Sequence, residues 1–127
     1  MFKHTVFLAA LLGLSLSGCA TPSAPPAVTA DTAKGKALVD AKGMTLYSFD
    51  KDTVGKSVCN GKCAENWPPL AATSGEASGD WTVVTRDDGS KQWALRGKPL
   101  YTFIKDTKPG DTVGEGVANN TWHIARP

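Results

Sequence analysis

Short segments with alternating apolar and polar residues dominate the second half of the chain. Trp81–Thr85 alternates bulky side chains with small or polar ones, and Thr121–Ala125 repeats this pattern. A period of two residues places Trp122 and Ile124 on one face, as in a strand with one buried side. A 3.6-residue apolar period is not evident, and only Cys63–Asn66 is predicted as a short helical turn. The pattern predicts a mostly β domain.

The remaining strands are predicted from apolar runs that are bounded by turn residues. Ala37–Val39 and Met44–Phe49 are separated by a short segment that contains glycine, which indicates a hairpin. Lys91–Leu95 and Leu100–Phe103 follow, with a turn predicted at Arg96–Lys98 between them. Together these segments predict a small antiparallel β domain.

One segment occurs twice in the chain. Leu46–Asp52 returns as Leu100–Asp106 with five of seven positions identical, and both copies contain Tyr-x-Phe-x-x-Asp. A repeated segment indicates a fold built from copies of one unit, here about 45 residues long. Each copy is too small to close its own core, so we expect the two copies to pack together.

The two copies are assigned from the motif outwards. The first is predicted over about residues 35–80 and the second over about residues 81–127. After each motif comes a polar loop, and we match the tryptophan-led segment at Trp81 with the one at Trp122. Residues 35–127 therefore form the predicted two-repeat domain.

The motif predicts a shared aromatic core and names no reaction. Tyrosine and phenylalanine two positions apart share one face of a strand. Four rings are therefore expected to meet: Tyr47, Phe49, Tyr101 and Phe103. An aspartate before a threonine at a strand end typically accepts nearby backbone N–H groups, which is the prediction for Asp52 and Asp106. The alternatives are a cation site at the aspartates and a redox role for the tyrosines.

The N-terminus is predicted to be an export signal. Lys3 supplies a positive charge, and the apolar run Thr5–Leu16 is too short to span a bilayer as a helix. The sequence Leu-Ser-Gly-Cys that ends at Cys19 resembles the lipobox of bacterial lipoproteins. This resemblance implies that residues 1–18 are a signal peptide and that Cys19 carries fatty acyl groups such as palmitate. An ordinary cleaved signal with a chance cysteine is the alternative.

The residues after Cys19 indicate in which membrane a lipid anchor would lie. Ala20 and Thr21 stand where lipoproteins retained in the inner membrane typically have an aspartate. The resemblance therefore implies a lipid anchor in the outer membrane, with the protein facing the periplasm. Residues 19–34 are rich in proline, alanine and threonine, a composition that predicts a disordered tether.

Cys59 and Cys63 remain as a pair once Cys19 is lipidated. An even cysteine count in an oxidising compartment indicates a disulfide, and the intervening Asn-Gly supplies a turn. The alternative is a copper or thiol-redox site. Cys-x-x-x-Cys with a distant histidine resembles the ligand pattern of periplasmic copper chaperones, and His123 would be the third ligand. Against copper, those chaperones have a thioredoxin-like fold, for which this chain shows no βαβ pattern.

Composition and motifs narrow the function classes. The 127 residues carry 14 Lys+Arg against 12 Asp+Glu, a net charge of +2, which does not indicate a nucleic-acid partner. The chain has no serine-centred elbow, phosphate loop or zinc-binding histidine pair, so no catalytic residues are predicted. Two classes remain open: a non-catalytic envelope module with an unknown protein or small-molecule partner, and a small copper or thiol-redox protein.

Three features together resemble a bacterial family of secreted-repeat lipoproteins that is named for a Tyr-x-(Phe/Trp/Tyr)-x-x-Asp motif. They are the double motif, the Cys59–Cys63 loop that leads to Trp67–Leu70, and the lipobox. The resemblance covers residues 35–127. It implies motif roles, and no catalytic role, for Tyr47, Phe49, Asp52, Tyr101, Phe103 and Asp106.

Overall fold

The computed structural model describes residues 25–73 and 77–127. The predicted signal peptide, Cys19 and the first part of the predicted tether lie outside these ranges. Within them the chain forms seven strands and two short helical segments. In chain order these are β1 (Val28–Thr32), β2 (Gly35–Val39), β3 (Tyr47–Phe49), α1 (Lys62–Asn66), β4 (Trp81–Thr85), β5 (Lys91–Leu95), β6 (Lys98–Tyr101), α2 (Val117–Asn120) and β7 (Trp122–Ile124).

Neither helical segment is extensive. In α2, Ala118 and Asn119 have left-handed backbone angles, so α2 is a turn rather than a regular helix. α1 contains the predicted turn at Cys63–Asn66. Among residues 25–73 and 77–127, no helix is long and apolar enough to cross a membrane.

The strands pair antiparallel and form two sheets, which confirms the predicted mostly β antiparallel domain. β1 and β2 make a hairpin, and the other five strands form a sheet in the order β4-β5-β6-β3-β7. The two motif strands, β3 and β6, lie side by side with Tyr47 opposite Tyr101. Because a residue of one copy pairs with its own counterpart, an approximate two-fold axis passes between these strands.

The end of each copy crosses to the motif strand of the other copy. β7 pairs with β3, and Ile124 lies opposite Tyr47. At the end of the first copy Pro69 makes the equivalent bridge to Tyr101. This pairing is shorter because Pro68 and Pro69 have no backbone N–H to donate. Each copy therefore completes the sheet of the other.

Two tryptophans from these crossing ends lie at the centre of the core. Trp67 and Trp122 stack with ring centroids 3.7 Å apart and planes 3° apart. Phe103 stacks on Trp67 at 3.9 Å and Phe49 on Trp122 at 4.3 Å, while the two motif tyrosines meet the tryptophans edge-on at 5.4 and 5.1 Å. The four motif rings thus share one core, joined by two tryptophans that the motif does not contain.

The opposite face of the motif strands packs on a second, aliphatic cluster. Leu46 and Leu100 each precede a motif tyrosine, so strand alternation turns them to the other side. They are buried together with four further residues, Ala27, Leu38, Leu95 and Ala125. The central sheet is therefore buried on both faces around the motif.

The domain begins earlier than predicted. Val28–Thr32, which was assigned to the disordered tether, forms β1 and pairs with β2 along its whole length, and Ala27 is buried. The tether prediction is therefore wrong over residues 28–34. Most side chains of β1 are exposed, so the strand depends on backbone pairing with β2 and carries little apolar signal.

The match between Trp81 and Trp122 is also wrong. Ile124 and Pro69 occupy equivalent positions, and each lies two residues after a tryptophan. Trp67 is therefore the counterpart of Trp122. Trp81 instead begins β4. The predicted hairpin between β2 and β3 is reduced to one isolated bridge because β2 pairs with β1.

Phe49 and Phe103 are the outer rings of the stack formed with Trp122 and Trp67, and we expect them to contribute equally to stability. Both rings are partly buried, so Phe49→Ala and Phe103→Ala should each lower the free energy of unfolding by about 2–3 kcal/mol, below the ~3–5 kcal/mol of a fully buried phenylalanine. Urea denaturation measures both values. Ile104→Ala, at a side chain 58% exposed, is the control and should change stability by less than about 0.5 kcal/mol. A large loss at only one phenylalanine would contradict the two-fold core.

Candidate functional site

The tyrosine and aspartate of the motif pair between copies rather than within one. The Tyr47 hydroxyl donates to Asp106 Oδ2 at 2.6 Å, and the Tyr101 hydroxyl donates to Asp52 Oδ2 at 2.5 Å. The two motif strands are neighbours, so each hydroxyl reaches the loop that follows the other strand. Four of the six motif residues are therefore joined in two reciprocal pairs.

The second oxygen of each carboxylate accepts a backbone N–H, as predicted for a turn. Asp52 Oδ1 accepts from Val58 at 2.8 Å, six residues on, and Asp106 Oδ1 accepts from Val113 at 3.0 Å, seven residues on. Each aspartate thereby fixes a loop of its own copy and a tyrosine of the other. The turn prediction is confirmed, but it did not include the tyrosine contact.

Burial determines the protonation of these pairs. It raises the pKa of Tyr47 and Tyr101 well above the ordinary value, and the adjacent carboxylates raise the pKa further, so both hydroxyls stay protonated. Burial also raises the pKa of Asp52 and Asp106, against the opposing effect of the tyrosine hydrogen bonds. A protonated phenol donating to a fixed carboxylate is a structural hydrogen bond rather than an activated nucleophile.

Each tyrosine hydroxyl has a further partner, and the partners differ. Tyr101 Oη lies 2.6 Å from Ser57 Oγ, whereas Tyr47 Oη accepts the N–H of Gly114 at 3.3 Å. A Cβ added to Gly114 would lie 2.8 Å from Trp67 and 2.9 Å from the Tyr47 ring. Only glycine lets this loop approach the core so closely.

A buried arginine supports one pair, and the sequence analysis missed it. Arg86 is 5% exposed and donates to Ser57 Oγ and Gln92 Oε1, both at 2.8 Å, and to the Cys59 carbonyl. Its side chain joins the cysteine loop of the first copy to the β4–β5 hairpin of the second. Arg86 lies in a polar run at the end of β4, where an arginine is normally solvated, so no local signal marked it.

At the other pair the corresponding cation is a lysine. Lys34 lies in the β1–β2 turn and its Nζ donates to the Thr112 carbonyl at 3.0 Å. It lowers the pKa of Asp106 as Arg86 lowers that of Asp52, although burial outweighs both effects. The two pairs thus have similar charge surroundings built from different residues.

The predicted disulfide between Cys59 and Cys63 is present. The S–S distance is 2.06 Å and the Cα atoms are 5.2 Å apart. The Cys63 carbonyl accepts the Trp67 N–H at 2.8 Å, so the bridged loop leads directly to the tryptophan at the centre of the core. The bond constrains the segment that delivers Trp67.

His123 lies apart from the cysteines in the contacts that it makes. Its Nε2 is 2.9 Å from Asp50 Oδ2 and its Nδ1 is 3.4 Å from Glu115 Oε1. Burial lowers the pKa of His123, but the two carboxylates outweigh this and the net pKa is raised. Among residues 25–73 and 77–127, no three His, Cys, Asp or Glu side chains cluster as a metal site. The copper set of Cys59, Cys63 and His123 is not brought together.

Comparison with known families identifies the family to which the two repeats belong. A family model described as a secreted repeat of unknown function matches the chain twice, over residues 28–71 and 82–126. The chain belongs to this family. The first match begins at β1, which agrees with the earlier start of the domain. Comparisons with curated proteins and with solved structures found no match.

Membership in the secreted-repeat family gives the protein an extracellular or envelope location. Disulfides persist in such oxidising surroundings, which agrees with the bond between Cys59 and Cys63. The two family matches also cover the two motif strands and both crossing ends, Trp67–Leu70 and Trp122–Ala125. The reciprocal contacts of the motif thus lie between the two secreted repeats.

A double-mutant cycle tests the reciprocal pairing. Tyr47→Phe and Asp106→Ala should each destabilise the secreted repeat by about 1–3 kcal/mol, because each leaves a buried polar group short of a partner. Their effects should be non-additive by about 1 kcal/mol or more when measured by denaturant unfolding.

The matched control for this cycle uses the aspartate of the same copy. Tyr47→Phe combined with Asp52→Ala should be additive to within about 0.5 kcal/mol, since these two residues belong to different pairs. Coupling of Tyr47 to Asp52 and not to Asp106 would contradict the exchange between copies.

The disulfide predicts a local constraint rather than the main support of the fold. Closing so short a loop gains only about 2 kcal/mol by the chain-entropy estimate. Cys59→Ser/Cys63→Ser should therefore remain folded with a lower melting temperature and a red shift of Trp67 fluorescence, and the wild-type pair should contain no free thiol. Stoichiometric copper that survives dialysis of the wild type and is lost in His123→Ala would instead establish the copper alternative.

Proposed function

We propose that this chain is a lipid-anchored envelope lipoprotein whose two-repeat domain is a non-catalytic binding or structural module. The observation that carries the proposal is the reciprocal engagement of the motif. Its tyrosines and aspartates hold the copies together through Tyr47–Asp106 and Tyr101–Asp52. These residues can be explained without a catalytic role, because each has a structural partner.

The anchor is proposed from the N-terminal sequence. A positively charged start, the apolar run Thr5–Leu16 and the residues up to Cys19 match the order of a lipoprotein signal. Several acyl chains on Cys19 give stable membrane attachment, which one chain does not. The absence of an aspartate at Ala20 and Thr21 favours the outer membrane, with the domain in the periplasm.

The module role is supported by how the domain is built. Its interior is filled by the stacked rings of Phe49, Trp122, Trp67 and Phe103. The cysteine pair forms a disulfide. The residues from Cys19 to Pro26 have the composition of a short tether, which would hold the domain near the membrane without fixing its orientation. A protein or small molecule would then be bound at the surface of the domain.

Removal of the lipidated cysteine tests the anchor. Wild-type protein should fractionate with membranes, and Cys19→Ser should appear in the soluble fraction because it cannot be acylated. Mass spectrometry should find the mature N-terminus at Cys19 with fatty acyl groups, and density-gradient separation should place it in the outer membrane. Cys59→Ser/Cys63→Ser is the control and should stay membrane-bound. A wild-type N-terminus at another residue, without acyl groups, would refute the anchor.

A further inference from the structure

A cleft of about 230 Å³ lies over the central sheet, away from the motif hydrogen bonds. Three neighbouring strands supply its middle, because Leu100 of β6, Ser48 of β3 and His123 of β7 lie side by side in register. Leu95 and Ala125 extend the floor, and both are buried with Leu100 in the aliphatic cluster. The floor of the cleft thus combines these apolar side chains with the polar side chains of Ser48 and His123.

The rim of the cleft is cationic. Arg96, Lys98 and Arg126 line it, and among the described residues the Lys98 ammonium has no hydrogen-bond or ion-pair partner. Arg126 Nη1 donates to the carbonyls of Lys34 and Lys36 at 2.9 and 2.8 Å. Those carbonyls fix the guanidinium beside the cleft but leave its charge uncompensated.

Two further contacts complete the charge pattern. Arg96 Nη2 donates to the Arg126 carbonyl at 3.2 Å, and Arg96 Nη1 lies 3.9 Å from the exposed Asp80. Asp50 is the carboxylate that lines the cleft, and it already accepts from His123. Three permanent cations therefore face one carboxylate, which is itself paired.

The two-fold axis shows that the fold does not require these charges. The counterparts of Lys98 and Asp50 in the other copy are Met44 and Ile104, at the same offset that relates Tyr47 to Tyr101. At the crossing ends, Ile124 and Pro69 are equivalent because each pairs with a motif tyrosine. By the same offset, the counterpart of His123 is Pro68. The counterpart of Arg126 is Ala71. Five charged or ionisable residues line the cleft, and four of them are replaced by an apolar residue at the equivalent position of the other copy. Only Arg96 has a charged equivalent, Lys42.

Size and chemistry together indicate the ligand class. The cleft is smaller than the roughly 300–1,000 Å³ of sites for drug-sized molecules, so its occupant is small. The apolar part of the floor favours a hydrocarbon or aromatic body, and a guanidinium and ammonium rim favours a carboxylate or phosphate group. A purely inorganic anion would leave the apolar part of the floor unused.

We propose that this cleft binds a small organic anion, with its apolar body on Leu95 and Ala125 and its anionic group between Lys98 and the two arginines. This inference rests on the proposed role as a binding module and names its ligand class. His123 and Asp50 also line the cleft, where they can accept or donate a hydrogen bond to the ligand.

Benzoate is the probe, and the mature lipoprotein in non-ionic detergent micelles is the sample. With methyl-labelled leucine, benzoate should produce saturable NMR shifts at Leu95 and Leu100, which line the cleft and belong to the aliphatic cluster. Lys98→Gln and Arg96→Gln should each weaken benzoate binding about tenfold or more, as expected for loss of a charge-assisted contact. Lys42→Gln is the matched control, since it removes the same charge from the counterpart of Arg96, and binding should be unchanged.

Two further ligands make the test decisive. Benzyl alcohol has the same ring without the charge, and phosphate has the charge without the ring, so both should bind at least about tenfold more weakly than benzoate. Equal binding of benzyl alcohol, equal binding of phosphate, no saturable benzoate shift, or equal effects of Lys98→Gln and Lys42→Gln would each overturn the proposal. Membrane fractionation of Cys19→Ser is independent of these results, so failure of the cleft would leave the anchor standing.

Discussion

The structure depends on one requirement, which is that a buried tyrosine hydroxyl must find a hydrogen-bond partner. Neither motif tyrosine is satisfied by the aspartate of its own copy. Tyr47 donates to Asp106 and Tyr101 donates to Asp52, so separating the copies would leave all four groups short of a partner. The crossing strand ends act in the same direction, because each brings a tryptophan that stacks on the motif phenylalanine of the other copy. Two weak units thereby become one cooperative domain.

The same two-fold arrangement separates positions that the fold needs from positions that it leaves free. Equivalent residues occupy the motif, the tryptophan stack and the left-handed turns at Gly43 and Gly97, where φ is 82° and 81°. The copies differ in the cysteine loop, in the cation beside each tyrosine pair and in the charged rim of the cleft. The charges on the rim of the cleft are not required by the shared fold, so this is where a specific function can be added.

Most of the regular structure followed from local patterns. The repeated motif, the alternating segments and the short turn at Cys63–Asn66 indicated a small antiparallel domain with a shared aromatic core. The cysteine spacing indicated a disulfide. β1 was missed because its side chains are mostly exposed, and Trp81 was matched wrongly because both it and Trp122 begin a short alternating segment. The match of Trp81 fails on contacts between distant parts of the chain, whereas β1 pairs with its neighbour β2 but carries little apolar signal.

By itself, the sequence determined the duplication, the β class and the cysteine pair, because each is carried by residues that are close together along the chain. Only the tertiary structure decided that Tyr47 pairs with Asp106 rather than Asp52, that Arg86 is buried, and that a cationic cleft exists in one half. These features depend on which segments meet across the two-fold axis. Sequence spacing cannot reveal that, because both aspartates follow a tyrosine at the same distance.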